Sequence, residues 1–284
     1  MLETDKNIEL LKNYFTKRPD VVMAFLFGSR SQRKERESSD WDIAVYLKPN
    51  TAQLEWEELH REYPEEENIW NDCIDILKRD DIDLIILNRA ASNIADAAMR
   101  GIPLVIKDRR IYLELMLIVS REAEDYRVFA DEFFAISQRS ASLTALDKNI
   151  LQKTIIFLKQ ELESYSVFKK MTQKEYQNDP NLRRNSERWV ENIINASIDI
   201  SKIILSSEKK LIPDTYADAL RQGIWLLGLP ENFLGHFERW VKLRNILAHE
   251  YLDIKWKRME DFIANGDPYI RDFVEAAEKF LSRQ

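Results

Sequence analysis

Cysteine occurs once in the 284 residues, at Cys73, which excludes an internal disulfide framework and a cysteine-built zinc site. No apolar stretch approaches the ~18 residues that cross a bilayer. The opening Met1-Leu-Glu-Thr-Asp5 lacks the basic and apolar regions of a signal peptide. The expected setting is cytoplasmic, with no membrane partner. Six glycines and eight prolines leave few breaks, so long helices should dominate. A basic excess is missing as well. Residues 1–140 hold 20 Lys+Arg against 28 Asp+Glu, and residues 141–284 hold 22 against 21. Neither half carries the field of a strong, non-specific nucleic-acid binder, and an RNA contact would need a local patch. What remains is an ordinary globular balance, 45% hydrophobic and 32% charged, at a length that favours two domains.

The first half alternates strands and helices. An opening helix covers roughly Leu2 to Lys17. Val21 to Phe27 is an apolar run ending at Gly28, as in a buried strand. Asp40 to Leu47 is a second strand, followed by a charged helical stretch that Pro64 interrupts. Ile82 to Leu87 is a third strand. Ser92 to Arg100 reads as a short helix with Ser92 as its N-cap and Gly101 closing it, and Leu104 to Lys107 as a last strand. From Tyr112 onward the pattern is helical. The stretch Ser137 to Ser142 is taken as the boundary, giving domains at 1–138 and 142–284. Helices are expected at about 145–171, 179–207, 215–227, 232–249 and 267–282, an all-α bundle. Trp189, Trp225 and Trp240 fall at helical spacings that suit its core. The fold class is therefore α+β: a small mixed sheet with helices, then a helical bundle.

The richest chemical signal is Gly28-Ser29, ten residues, then Asp40-Trp41-Asp42. Strand alternation puts Asp40 and Asp42 on one face, ~7 Å apart, with Trp41 packing beneath the sheet. Two carboxylates forced together repel unless a cation sits with them, and Mg²⁺ favours a few carboxylates plus substrate phosphate oxygens. Gly28 lets the backbone approach a phosphate closely, and the Ser29 hydroxyl can bond to it. Arg30 either reaches that phosphate or is an exposed loop residue. Asp83 is the natural third carboxylate. It lies between Ile82 and Leu84, and a charge buried in such a run is costly unless compensated.

Gly-Ser-x10-Asp-x-Asp with a later strand aspartate resembles the minimal nucleotidyltransferases of the DNA polymerase β superfamily. Asp83-Leu-Ile-Ile-Leu-Asn-Arg-Ala90 and Gly101-Ile-Pro-Leu-Val-Ile106 extend the resemblance over about residues 5–137. It implies Mg²⁺ held by Asp40, Asp42 and Asp83, and a nucleoside triphosphate bound near Gly28, Ser29 and Arg30. It also implies in-line attack on the α-phosphate.

The second half carries Arg244-Asn-Ile-Leu-Ala-His249-Glu-Tyr251. Asn245 and His249, four apart, share a helical face, so the amide can orient the imidazole. Arg244 and His249, five apart, lie about 140° apart around an ideal helix. They converge on one substrate only if the helix ends or distorts near Ala248, or if a second subunit completes the site. Such a pair can cleave RNA: the histidine moves protons and the guanidinium stabilises developing phosphorane charge. A structural arginine with a histidine at a helix C-terminus is the plain alternative.

Arg-x4-His-x-Tyr after an all-α bundle resembles the HEPN toxins, in their HepT branch. The resemblance also runs through Arg188 to Lys202, Ile212 to Asp218 and Tyr251 to Asp253, covering roughly 145–284. It implies a ribonuclease that pairs two Arg/His motifs in a homodimer. It also implies a MntA-like antitoxin that transfers AMP from ATP to the motif tyrosine, here Tyr251, with both parts in one chain. Asp83 would then also serve to ionise the phenol. The rival expectation is an antibiotic nucleotidyltransferase of aminoglycoside type, whose helical domain holds the drug.

Overall fold

The computed structural model describes residues 3–31, 40–50, 54–56, 61–139, 143–249 and 256–283, with backbone alone at 3, 4 and 249. The chain forms two compact units, Met1–Glu124 and Asp125–Gln284. The first contains α1 (Glu3–Lys17), β1 (Val21–Phe27), α2 (Gly28–Ser31), β2 (Trp41–Leu47), α3 (Glu65–Leu77), β3 (Ile82–Ile86), α4 (Ser92–Met99), β4 (Ile102–Ile106) and the start of α5 (Arg109–Ser137). The strands form one mixed sheet in the order β3-β2-β1-β4. β1 pairs antiparallel with β2 and β4, and β2 pairs parallel with β3. A parallel pair needs a crossover, which α3 provides.

The alternation of β2 explains the layers. Trp41, Ile43, Val45 and Leu47 pack on one face with Leu11 and Phe15 of α1 and Ile69, Cys73 and Leu77 of α3. Ala44 and Tyr46 face the other side, against Ala95 and Ala98 of α4 and Ile111, Leu115 and Val119 of α5. A sheet covered on both faces reads as near-continuous apolar runs, as β1 does. The Asn88 side chain closes the far end of β2, accepting from Leu47 N at 2.8 Å and donating to Leu47 O at 3.0 Å.

Several boundaries differ from the sequence reading, among them the helix expected at 145–171, which ends at Glu163 and gives way to short helices at Tyr165–Phe168 and Gln173–Asn178. Where it is described, the charged stretch expected to be helical before Pro64 is not helix. Residues 54–56 and 61–63 are non-helical, and α3 starts after Pro64, which stands at its N-cap. Ala91 takes the N-cap of α4, and Ser92 is its buried first residue. The last helix starts eleven residues before 267 and carries Pro268 in its interior.

The second unit holds the remainder of α5, then α6 (Ala145–Glu163), α7 (Tyr165–Phe168), α8 (Gln173–Asn178), α9 (Pro180–Ser207), α10 (Tyr216–Leu226), α11 (Asn232–His249) and α12 (Trp256–Arg283). Its helix starts follow local chemistry. Thr144 with Asp147 and Thr172 with Glu175 form capping boxes, and Asp179 caps α9 with Pro180 at the first turn. Central α9 is buried along most of its length, between α6, α10 and α11. Its buried Ser197 and Ser206 donate to carbonyls four residues back, at 2.9 and 2.6 Å, so these hydroxyls cost no unpaired donor. Trp189 and Trp240 are core residues, whereas Trp225 is exposed. Among the described residues no helix is long and apolar enough to cross a membrane.

Glycine brings α10 onto α9. A Cβ at Gly223 would stand 2.4 Å from Ser201 Oγ and 2.7 Å from its Cβ. Gly223→Ala should therefore destabilise the helical unit by about 1–3 kcal/mol, the usual cost of overpacking. A lower urea midpoint for loss of helical signal checks this, and an unchanged midpoint would show that the two helices separate freely.

Candidate active sites

In the first unit, β1 ends at Gly28, whose φ of +67° is left-handed and is strained for any residue with a side chain. The space is also closed: a Cβ there would lie 2.0 Å from Asp42 Oδ2. The register brings the carboxylates together. Asp42 pairs with Phe27 on one side and with Asp83 on the other. Because they are register partners on neighbouring strands, Asp42 and Asp83 project from the same face. Burial first, then the charges of Asp83 and Asp40, push the Asp42 carboxyl above its ordinary range, with Arg30 partly opposing.

Arg30 is buried in α2. Its Nε donates to the Asp40 carbonyl at 3.1 Å, and its guanidinium carbon lies 4.7 Å from the centre of the Trp41 ring. It fixes the backbone that carries Asp40 into β2. Ser29 is half-buried beside it, and Ser31 Oγ closes the turn by donating to Gly28 O at 2.8 Å. Asp40 and Asp83 are exposed. For Asp83 this revises the premise of a charge inside an apolar run: Ile82 and Ile86 are buried, but the Asp83 side chain of this edge strand meets solvent. Beside Asp83 lies a cavity of about 730 Å³, lined by Tyr63, Pro64, Trp70 and Leu84 with Glu62, Glu66 and Glu67. Trp70 Nε1 donates to Ile82 O at 2.9 Å, and Glu66 is held by Arg89 at 2.5 and 2.6 Å.

Among the described residues no three His, Cys, Asp or Glu groups converge as a ready metal cage. Mg²⁺ does not need one, since it is usually held by one or two carboxylates together with substrate phosphates. The hard oxygens of Asp42 and Asp83, with the strained charge on Asp42, fit such an ion.

In the second unit, Arg244 lies in α11 and is buried together with Asn245. Its Nε donates to Asn195 Oδ1 at 2.8 Å, one terminal nitrogen to Asn245 Oδ1 at 3.2 Å, and the other to Asp125 Oδ2 at 3.3 Å. The guanidinium carbon stands 5.1 Å from the centre of the Tyr216 ring. His249 is the last residue of α11; its side chain and Tyr251 lie outside the described residues.

The family model for polymerase beta nucleotidyltransferases matches residues 9–110, and that for HepT-like ribonucleases matches residues 158–277. The chain is a polymerase-β-type nucleotidyltransferase domain fused to a HepT-like ribonuclease domain. A search of curated proteins found no match. The nucleotidyltransferase span contains Gly28, Asp40, Asp42 and Asp83, and the ribonuclease span contains Arg244, Asn245, His249 and Tyr251. Most of α5 lies in neither span, and Asp125 with it. Reading the sequence alone assigned no role to Asp125, Asn195 or Tyr216. The last two sit inside segments that resemble the HepT branch, but their meeting with Arg244 across 49 and 28 positions leaves no local pattern.

Two outcomes follow for the nucleotidyltransferase domain. Gly28→Ala should displace Asp42 and lower nucleotidyl transfer at least ~100-fold, beyond what loss of a residue behind a metal ligand costs. Retained activity would show that the turn is not under this constraint. The raised Asp42 pKa has a definite sign. The folded chain holds that proton more tightly than the unfolded chain, so the penalty is fully present at neutral pH and fades as pH falls toward about 4. Metal-free Asp42→Asn should thus melt above the parent at neutral pH, with the gap closing on acidification. Mg²⁺ should raise the melting temperature of the parent alone. A variant that melts below the parent at neutral pH would contradict the electrostatic account.

Proposed function

We propose that this protein is a fused toxin–antitoxin, in which the nucleotidyltransferase domain transfers AMP from ATP to Tyr251 and silences the ribonuclease domain. The observation that carries the first step is the register of Asp42 beside Asp83, against a turn that only glycine fits. In the transfer, the Tyr251 phenol oxygen bonds to the α-phosphorus of ATP, the bond from that phosphorus to the β-phosphate bridge breaks, and pyrophosphate leaves. The phenol is a weak nucleophile near its ordinary pKa of about 10, and exposed Asp83 is the group to take its proton. Mg²⁺, when bound, neutralises phosphate charge and polarises the α-phosphate. Gly28 and Ser29 receive the phosphates, and Arg30 holds the backbone of Asp40.

In the ribonuclease domain, His249 moves a proton between the ribose 2′-hydroxyl and the leaving oxygen, while Arg244 meets the phosphate and Asn245 supports the pair. RNA is the target, and two chains pair these motifs as a homodimer. An AMP on Tyr251, two residues beyond His249, places an anion where an RNA phosphate would bind. The HepT-like match over the helical half favours this reading over an antibiotic nucleotidyltransferase, whose second domain would hold a drug.

Intact mass after incubation with ATP and Mg²⁺ tests the transfer. One or more AMP additions are expected, mapped by peptide mass spectrometry to Tyr251 and absent from Tyr251→Phe and Asp42→Asn. Adducts on Tyr216 or Tyr269, with Tyr251 clean, would overturn the assignment. In cells, Asp40→Ala with Asp42→Ala should slow growth, and adding His249→Ala should restore it. Equal growth defects with and without His249 would remove the nuclease.

A further inference from the structure

Among the described residues, groups of two kinds touch Arg244. Asn195 and Asn245 are neutral amides, and Tyr216 offers a ring face; together they seat the guanidinium without cancelling its charge. Asp125 brings a full negative charge. The contact to Asn195 is tight at 2.8 Å, whereas the ion pair with Asp125 is long at 3.3 Å. Charge-assisted bonds of this type usually settle near 2.7–2.9 Å. Exposure divides the same way: the Arg244 side chain is 9% exposed and that of Asp125 43%. The arginine is the buried member of the pair, and the carboxylate is the one that borders solvent.

A carboxylate and a phosphodiester offer an arginine the same thing, anionic oxygens for its N–H groups. We propose that Asp125 occupies the phosphate seat on Arg244 until RNA displaces it, while Asn195 and Tyr216 are positioning residues that keep the guanidinium aimed. This rests on the reading of Arg244 as the group that meets RNA. Asp125 is the first residue of the second unit, yet it belongs to α5, which starts at Arg109 in the first. The restraint on the ribonuclease is thus built into the helix that both units share.

The test uses the full chain, purified without ATP, and a fluorescent single-stranded RNA of mixed sequence as probe. Asp125→Asn keeps the shape and removes the charge. RNA binding should tighten, and KM fall, about 3- to 10-fold, as when a competent fraction of roughly 0.1–0.3 becomes fully populated. Asp125→Ala should show the same gain and Asp125→Glu none. The gain should vanish when Arg244→Ala is added. Asn195→Ala should instead lower kcat, a split that general loosening of the helices would not produce; melting temperatures check that each variant folds. If folded Asp125→Asn and Asp125→Ala bind RNA no better than the parent while Arg244→Ala binds worse, Asp125 is not in the phosphate seat and the ribonuclease reading stands. If Arg244→Ala matches the parent in both binding and cleavage, the RNA-facing role of Arg244 fails and the proposal falls with it.

Discussion

Asp42 and Asp83 stand side by side on adjacent parallel strands, two like charges that the backbone register will not let apart. Much of the first unit can be understood as the means of holding them there. The parallel pairing requires α3 as a crossover. The turn before β2 must be glycine, because Asp42 fills the space a Cβ would take. Arg30 is buried below to fix the Asp40 carbonyl, and it offsets part of the repulsion that raises the Asp42 pKa. Sheets usually avoid like charges on directly neighbouring positions. A fold that keeps them, on well-packed strands, has the electrostatic strain expected of a site that meets a cation.

The strands were legible because each is a short apolar run with a clear stop, Gly28 for β1 and Lys48-Pro49 for β2. The shared face of Asp42 and Ala44 follows from alternation alone. Which strand lies at the edge does not. Ile82, Leu84, Ile85 and Ile86 read as fully buried, yet β3 has one neighbour, and Asp83 meets solvent. The pattern of a single strand reports which residues avoid water, but sheet order depends on pairings between distant segments. Residues 61–63, just before Pro64, misled for a related reason. The Glu-rich composition around them favours helix, while residue preferences before proline and the packing of Tyr63 favour an extended entry into α3.

In the helical unit, periodicity placed the long elements, but the helix expected at 145–171 ends at Glu163, and the short α8, capped by Thr172, was missed because so few residues show no period. Pro268 misled in another way. Proline suits the first turn of a helix and disrupts its interior, so a helix starting near 267 is the local reading. Tertiary packing overrides it: Met259, Phe262 and Ile263 before the proline and Phe273, Val274 and Ala277 after it belong to one core. Tyr165 lies against the same turn and donates to Phe262 O at 2.6 Å. The surroundings of Arg244 were hidden more completely. Asp125 is 119 positions away, in a helix whose sequence pattern shows only an amphipathic face.

The two candidate sites pose opposite electrostatic problems within one chain. At Asp42 and Asp83 negative charge is in excess, so a polyphosphate alone would be repelled and a cation alone is welcome. A polyphosphate therefore needs the cation beside it, whereas the cation can bind by itself. At Arg244 a buried positive charge already has an internal anion, so a phosphate gains the arginine only by releasing Asp125. The first site thus offsets its charge with a cation, and the second exchanges one anion for another. That suits a chain of formal net charge −7, whose overall charge does not draw RNA or ATP by long-range attraction. Selectivity must come from contacts made at short range, after the exchange, where Asn195, Asn245 and the Gly28 turn set the geometry.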